Sequence, residues 1–395
     1  LSREQGAGCG YYSMKKQTFY IQTLGCKVNQ YESDGIASCL EEKGLVRGKK
    51  KSSVDLCIIN TCAVTSKAGM QSRQAIRKII RDNPDARIIV TGCHAQTDYE
   101  LIHKIEDVDQ IVCHKDKTLI ADRIVDLITE LKPDPSNALN PGGAANEIPG
   151  QIEHLAMDMS AGVSSSPFIF RPPDHGQENR FLGFDKPVKG NMTRAYLKIQ
   201  DGCNAFCSYC IVPYARGSSV SMPENQVFEH LEGLCRSGFK EVIITGIHTG
   251  MYGLDLNPPT SLMNLLNTMD KEKSMDRVRI SSIEPGELSD GLIDLASPGH
   301  ILCDHFHIPL QSGDDEILKK MKRPYSASSF ESLIHRIHDK LPHAGIGVDI
   351  LIGFPSETDE QFENTFKLIE RLPVSYLHVF PFSARKGTPA YHFQG

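Results

Sequence analysis

Short apolar runs alternate with segments of helical periodicity along the first third of the chain. The apolar runs predict strands at residues 18–24, 56–60, 87–91 and 109–113, with a short edge strand at 44–47. Helical spacing predicts helices near residues 31–43, 67–82, 99–105 and 118–130. Because strands that alternate with helices are typical of a doubly wound parallel sheet, we expect residues 17–132 to form an α/β domain.

The same alternation returns after Asn191 and continues through the rest of the chain. It predicts strands at residues 194–200, 241–245, 277–283, 304–309, 345–351 and 376–380, with helical segments between them. Six units of this kind, joined by right-handed crossovers, fit an incomplete (β/α)6 barrel of the TIM type. We expect residues 191–395 to form this barrel, with ligands bound over the carboxyl ends of its strands.

Residues 133–190 lose this periodicity and are rich in proline, glycine, serine and asparagine. Such a composition is typical of a flexible linker. Two aromatic clusters within it, at residues 168–170 and 181–184, are the parts that we expect to dock on a neighbouring domain. Residues 1–16 lack the apolar segment of a signal peptide, and we interpret them as a disordered leader.

The cysteine content indicates a reducing compartment. The 395 residues include 12 cysteines at uneven spacing, unlike the disulfide framework of a secreted protein. No segment has the apolar length of a membrane span. We therefore expect a cytoplasmic protein that does not bind a membrane.

The charge of the chain is acidic overall but unevenly distributed. A formal net charge of −6 argues against a nucleic-acid surface that covers the whole protein. Basic residues are nevertheless concentrated in the predicted helix at 67–82, which either contacts phosphate groups or forms an ordinary solvated face. These residues are Lys67, Arg73, Arg77, Lys78 and Arg81.

Three cysteines follow the first predicted barrel strand at C-x3-C-x2-C spacing: Cys203, Cys207 and Cys210. Thiolates are suitable ligands for an iron–sulfur cluster, and three of them on a four-iron cluster leave one iron open to a substrate. A structural zinc site would need a fourth Cys or His at close spacing, and none occurs before His230. A disulfide with one spare thiol is the other alternative.

Three further cysteines come just after predicted strands of the first domain: Cys26, Cys62 and Cys93. Because the carboxyl ends of parallel strands meet at one edge of a sheet, these thiols either share one cluster or are ordinary buried cysteines. Gly25 and Gly92 would let the backbone approach an inorganic group closely. The remaining cysteines within predicted elements are interpreted as core residues, namely Cys39, Cys57, Cys113, Cys235 and Cys303.

Polar or glycine-rich segments follow the predicted barrel strands at residues 245–250, 281–285, 307–313 and 348–355. Taken singly, each is compatible with an ordinary turn or a packed side chain. Because all of them lie at one face of the barrel, they are placed to surround a small polar cofactor.

The cysteine motif, in a six-unit barrel, resembles that of the radical S-adenosylmethionine enzymes. In that family S-adenosylmethionine binds the open iron and is cleaved by one electron to methionine and a 5′-deoxyadenosyl radical. The resemblance implies no catalytic side chain beyond the cluster ligands. It implies these cofactor-binding residues: Tyr209, Gly246, Ser282, Glu284, Gln311, Val348, Asp349 and Gly353.

The first domain narrows the resemblance, because its three cysteines look like those with which the methylthiotransferases hold a second 4Fe-4S cluster. Replacing an unreactive aromatic C–H bond by C–S requires a radical oxidant and a sulfur donor, which two clusters and S-adenosylmethionine supply. Residues 23–33 and 245–250 look most like the MtaB branch, whose substrate is N6-threonylcarbamoyladenosine at position 37 of tRNA, modified at C2.

Three alternatives remain open at this point. A related enzyme would modify isopentenyladenosine-37 of tRNA, another would modify an aspartate of a ribosomal protein, and a non-catalytic iron–sulfur carrier would modify nothing. The resemblance further implies as partners the anticodon stem-loop of tRNA, a donor such as flavodoxin or ferredoxin and a sulfur source, and we expect a monomer. Family members usually end in an RNA-binding TRAM domain, which we do not find before Gly395; we expect either a fragment or weaker RNA binding.

Overall fold

The computed structural model of the protein describes residues 17–49, 53–124, 180–190 and 192–394. The predicted leader lies outside these residues. So do most of the predicted linker and the end of the helix predicted at 118–130.

The first domain contains a five-stranded parallel sheet in the order β2-β1-β3-β4-β5. Every residue of β3 is buried, as in a sheet that helices cover on both faces. This arrangement confirms the predicted doubly wound α/β domain. Its strands are β1 (Thr18–Thr23), β2 (Val46–Arg47), β3 (Leu56–Thr61), β4 (Arg87–Gly92) and β5 (Gln110–Ile111), and its helices are α1 (Lys27–Glu42), α2 (Ser66–Asp82), α3 (Cys93–Thr97) and α4 (Tyr99–His103).

The starts of two helices in this domain differ from the sequence prediction. Helix α1 begins at Lys27 rather than at residue 31, and α3 begins at Cys93 although no helix is predicted there. In both cases a cysteine follows a glycine with φ of +99°, which turns the chain sharply at the end of a strand. Neither helix start has a side-chain cap, so the usual Ser, Thr, Asp or Asn signal is missing.

The second domain contains six parallel strands in two sheets, ordered β10-β9-β6 and β11-β12-β13. Val278 of β10 forms a parallel bridge with Leu302, just before β11, and the amide of Ile283 donates to the carbonyl of His307 in β11. The strand order therefore continues from β10 to β11, which confirms the incomplete barrel. A short antiparallel pair, β7 with β8, follows the first barrel strand. The strands are β6 (Ala195–Lys198), β7 (Gln200–Asp201), β8 (Val220–Ser221), β9 (Glu241–Thr245), β10 (Arg277–Ile280), β11 (His305–Gln311), β12 (Gly345–Ile352) and β13 (Tyr376–Pro381).

The barrel strands alternate with helices of very different lengths. The longest are α10 (Ala327–Lys340), α6 (Glu224–Arg236) and α11 (Asp359–Arg371), with α7 (Leu262–Glu272) slightly shorter. The remaining helices have one or two turns: α5 (Val212–Arg216), α8 (Asp290–Asp294) and α9 (Asp315–Lys320). Across the described residues, no helix combines the length and the apolar character that a membrane crossing would require.

One hydrophobic core runs through both domains. It includes Phe19 and Tyr31 of the first domain and Leu197 and Phe306 of the barrel. The fully buried ring of Tyr31 lies 5.9 Å from that of Phe184, between ring centroids. The aromatic cluster predicted at 181–184 therefore docks on helix α1, and the two domains are held together by apolar packing.

Candidate active site

The three cysteines of the first domain converge at the carboxyl edge of its sheet. Cys62 directly follows β3 and Cys93 directly follows β4, while Cys26 lies at the start of α1. Burial, with contributions in the same direction from the charges of Cys93 and Cys26, raises the pKa of the Cys62 thiol to about 11. The three sulfurs are therefore close enough to influence one another.

Two glycines make this convergence possible. A Cβ atom on Gly25 would lie 2.9 Å from the sulfur of Cys62, and one on Gly92 would lie 2.4 Å from the backbone N and O of Thr61. No larger residue fits at either place without displacing a neighbour. Every cysteine that the structure describes is free of disulfides. Three free thiols that converge on a glycine-bordered recess would suit a four-iron cluster with one open iron.

The motif cysteines of the barrel form a second group in the loop between β7 and α5. Burial, with contributions in the same direction from the neighbouring Cys207 and Cys203, raises the pKa of the Cys210 thiol to about 12. A cluster that binds here must displace these protons, because thiolates are the metal ligands. Three thiols in one loop would again suit a four-iron cluster with one open iron.

Two side chains that sequence reasoning missed contact this group. The Nδ1 atom of His248 lies 3.4 Å from the sulfur of Cys203, and its Nε2 atom lies 2.6 Å from Oε1 of Glu287. Arg323 donates from Nη1 to the sulfur of Cys207 over 3.3 Å. The signal for His248 was its place in segment 245–250, whereas nothing in the sequence pointed to Arg323.

Three predicted cofactor residues border the same region. Gly246 and Ser282 line a common cavity, and Glu284 forms an ion pair with Arg323. Gln200 positions the Gly246 loop, because its Oε1 accepts hydrogen bonds from the amides of Ile247 and His248 at 2.9 and 2.7 Å. The Nε2 atom of Gln200 donates to the carbonyls of residues 201 and 202, so this one side chain links the cysteine loop to the Gly246 loop.

The other predicted cofactor residues occupy different environments. Tyr209 is half-buried against an apolar cluster that contains Phe354, and Gln311 lies at a bulge of β11 with φ of +68°. Val348 is fully buried in the core, which leaves only its backbone for a cofactor contact. Asp349 accepts a hydrogen bond from His307. Gly353, with φ of +70°, lines a separate cavity beside Phe354.

A cavity of about 960 Å³ lies between the two domains. Cys26 and Lys27 form part of its wall on the side of the first domain, and Gly246 and Ser282 form part of its wall on the barrel side. One space therefore touches both the first cysteine group and the predicted cofactor residues. Its volume is in the range of small-molecule and cofactor sites.

Histidine and tyrosine side chains from the barrel form the polar wall of this cavity. His305 and His307 lie 2.9 and 3.3 Å from the hydroxyl of Tyr376, and His307 and His378 lie 2.8 and 3.2 Å from Oδ1 of Asp349. Burial lowers the pKa of His305 to about 4, with Arg279, Lys27 and His307 contributing in the same direction. His305 is therefore neutral near pH 7.

A buried ion cluster lies behind both cysteine groups. Arg216 donates from Nη1 to Glu32 and to Asp201, each over 2.9 Å, and from Nη2 to Asn29 over 2.7 Å. Lys117 and Lys198 also pair with these carboxylates, so three cations surround two carboxylates. Because these residues come from both domains, the cluster fixes the position of one cysteine group relative to the other.

Comparison with known proteins agrees with this geometry. Residues 18–113 match a family described as uncharacterized protein family UPF0004, and residues 197–369 match the radical SAM superfamily. The threonylcarbamoyladenosine tRNA methylthiotransferase MtaB of Bacillus subtilis (strain 168) is 36% identical over 374 residues, covering 94% of this chain and 75% of that protein. MtaB of Rickettsia prowazekii (strain Madrid E) is 37% identical over 371 residues, covering 94% and 77%.

The radical S-adenosylmethionine methyltransferase TsrM from Kitasatospora setae shares the fold, with a TM-score of 0.62, 15% identity, and coverage of 95% of this chain and 77% of its own. At that identity the likeness concerns the fold alone. The sequence similarity to the two MtaB proteins, in contrast, extends over both domains and confirms the family interpretation drawn from the six cysteines. The chain belongs to the radical S-adenosylmethionine methylthiotransferase family.

Proposed function

We propose that the protein inserts a methylthio group at C2 of N6-threonylcarbamoyladenosine at position 37 of tRNA. The observation that carries this proposal is the cavity of about 960 Å³ that touches Cys26 on one side and Gly246 and Ser282 on the other. A base placed there lies between a sulfur source and a radical source. The identity to proteins named as threonylcarbamoyladenosine tRNA methylthiotransferases supports the choice of substrate.

The six cysteines divide into two ligand sets. Cys203, Cys207 and Cys210 would hold the cluster that binds S-adenosylmethionine, and the set in the first domain, Cys26, Cys62 and Cys93, would hold the second. When bound, the two clusters and S-adenosylmethionine supply the radical oxidant, the methyl group and the sulfur. The side chains of the protein position the groups around the cofactor. Gln200 holds the Gly246 loop, and Arg323 orients Glu284 and Cys207.

Access of the substrate requires the base to leave its stack, because C2 of a stacked adenine cannot enter a cavity between two domains. Helix α2 offers a surface for the surrounding tRNA backbone, with exposed basic side chains that include Lys67, Arg77 and Arg81. Phosphate contacts of this kind orient a nucleic acid without reading its sequence. We propose that α2 contacts the anticodon stem-loop.

The atoms and electrons that the reaction consumes require two further partners, a sulfur source and an electron donor. Each inserted methylthio group consumes one sulfur atom, so a sulfur source must replenish the protein, and reductive cleavage of S-adenosylmethionine consumes an electron from a donor such as flavodoxin or ferredoxin. We propose that the chain acts as a monomer, because one chain supplies both cysteine sets and the cavity between them. An iron–sulfur carrier needs no substrate cavity, so the cavity favours an enzyme over that alternative.

Nucleoside analysis tests the proposal. In tRNA from cells that lack the gene, we expect threonylcarbamoyladenosine to persist and its 2-methylthio derivative to disappear. The intact gene should restore the derivative, whereas a gene carrying Cys26→Ala or Cys203→Ala should not. Unchanged methylthiolated threonylcarbamoyladenosine in the deletion strain would overturn the assignment, and loss of methylthiolated isopentenyladenosine instead would identify the related tRNA enzyme.

A further inference from the structure

The wall of the interdomain cavity is strongly cationic. Lys27 of the first domain and Arg194 and Arg279 of the barrel all line it. Among the described residues that line the cavity, none is aspartate or glutamate. A space that concentrates one sign of charge in this way attracts the opposite charge.

Nearby carboxylates compensate only part of this charge. Glu241 lies below the wall and accepts a hydrogen bond from Nε of Arg279 over 2.8 Å. The same carboxylate lies 3.6 Å from Arg194 and 3.6 Å from Arg277, so three guanidinium groups share one negative charge. The ammonium group of Lys27 forms no hydrogen bond or ion pair within the part of the chain that the structure describes. The carboxylate of Asp349, which accepts hydrogen bonds from the wall residues His307 and His378, acts on that ammonium group only over a longer distance. Like charges held together at a partly buried site are costly until an anion binds.

We propose that Arg279, Arg194 and Lys27 form an anion subsite that binds the carboxylate of the threonylcarbamoyl group. The inference rests on the proposed function and identifies the residues that select that substrate. A guanidinium group forms paired charge-assisted hydrogen bonds with a carboxylate, and Arg279 directs only one of its nitrogens to Glu241 in the contacts described.

The position of the subsite suits the reaction. N6 and C2 both lie on the Watson–Crick edge of adenine, on either side of N1, so a group attached to N6 points toward the same side of the base as C2. Lys27 directly follows Cys26, and both line the cavity. The substituent would therefore meet cationic groups when C2 faces the first cysteine group. A neutral isopentenyl group would add no negative charge to the one that Glu241 supplies, which disfavours that substrate.

The test compares two synthetic anticodon stem-loops that differ by one charge. One carries threonylcarbamoyladenosine at position 37, and the other carries its carboxamide, in which the threonine carboxylate is a neutral amide. Binding to the reconstituted protein is measured anaerobically by fluorescence anisotropy for wild type and for Arg279→Gln. We expect Arg279→Gln to weaken binding of the acid by about tenfold or more, and binding of the amide by no more than about twofold.

Arg277→Gln is the matched control. Arg277 lies on the same strand and contacts the same Glu241, but it lines a different cavity of about 390 Å³. We expect it to bind both stem-loops as wild type does. Arg279→Lys, which retains the charge, should keep part of the preference for the acid.

Three outcomes would overturn the subsite. Arg279→Gln could weaken both stem-loops equally, which would show a structural role, or could weaken neither. Wild type could also bind acid and amide with equal affinity. If the nucleoside analysis fails as well, the proposed function fails with the subsite; if that analysis succeeds, only the subsite is wrong.

Discussion

Arg216 donates hydrogen bonds from one nitrogen to both Glu32 and Asp201, each over 2.9 Å. Glu32 lies on the helix that begins directly after Cys26, and Asp201 lies two residues before Cys203. The guanidinium side chain is only 1% exposed, and the two carboxylate side chains are 3% and 4% exposed. A single buried cation therefore connects the two cysteine groups on which the proposed chemistry depends.

Loss of this cation should destabilise the whole protein. Arg216→Gln leaves Glu32 and Asp201 buried with less compensation, and breaking a buried ion pair in this way costs about 3–5 kcal/mol. We expect the urea midpoint to fall accordingly. The amount of iron retained in both clusters should fall as well. Arg371→Gln removes an exposed arginine paired with Glu331 and should leave the midpoint unchanged. Equal midpoints for the two variants would show that the buried cluster contributes little.

Glu32 should make stability depend on pH in the acidic range. Burial alone would raise the pKa of this carboxyl, but Arg216, Lys117 and Lys198 outweigh it and hold the pKa well below the ordinary value of 4.5, with His114 acting in the same direction. The unfolded chain therefore binds a proton before the folded chain does. The stabilisation is complete above the unfolded value of 4.5 and is lost as the pH falls toward the folded value.

Comparison with Glu32→Gln isolates this effect, because all other titrating groups are common to both proteins. Between pH 7 and pH 5 we expect a constant difference in urea midpoint. Below about pH 4.5 the wild-type midpoint should fall more steeply than that of the variant. Parallel curves over the whole range would show that the carboxyl of Glu32 is not held ionised by its neighbours.

The parts of the fold that depend on local pattern could be predicted from the sequence, and those that depend on long-range pairing could not. Strand periodicity predicts that Cys62 and Cys93 directly follow strands, that Cys26 comes shortly after one, and that the three motif cysteines lie in the loop after the first barrel strand, as the structure has them. The partners of Arg216 are 184 and 15 residues away, and no local signal joins them. Arg323 reaches Cys207 across 116 residues for the same reason. Val348 and Asp349, both predicted to contact the cofactor, are adjacent on β12, and adjacent residues of a strand face opposite sides: Val348 lies in the core and Asp349 contacts His307.

Gly92→Ala should destabilise the first domain through a collision with the backbone. The added Cβ would lie 2.4 Å from the N and O atoms of Thr61, at a residue whose φ is +99°. Gly44→Ala is the matched control, because its φ is +87° but nothing lies within 4 Å of the added atom. Conformational strain alone should cost Gly44→Ala about 1–2 kcal/mol in urea unfolding. We expect Gly92→Ala to cost clearly more, and equal losses would exclude the collision.

The two cysteine groups should each hold four irons independently. A fully reconstituted chain should contain about eight irons, and the triple Ala variant of Cys26, Cys62 and Cys93 should contain about four. The reciprocal variant of Cys203, Cys207 and Cys210 should also retain about four. Replacement of Cys39, Cys235 and Cys303, which lie outside both groups, serves as the control and should leave about eight. Iron and sulfide analysis measures the cluster content of each variant, and circular dichroism checks that the variant is folded. An unchanged iron content in the first variant would show that Cys26, Cys62 and Cys93 are ordinary cysteines and do not hold a cluster.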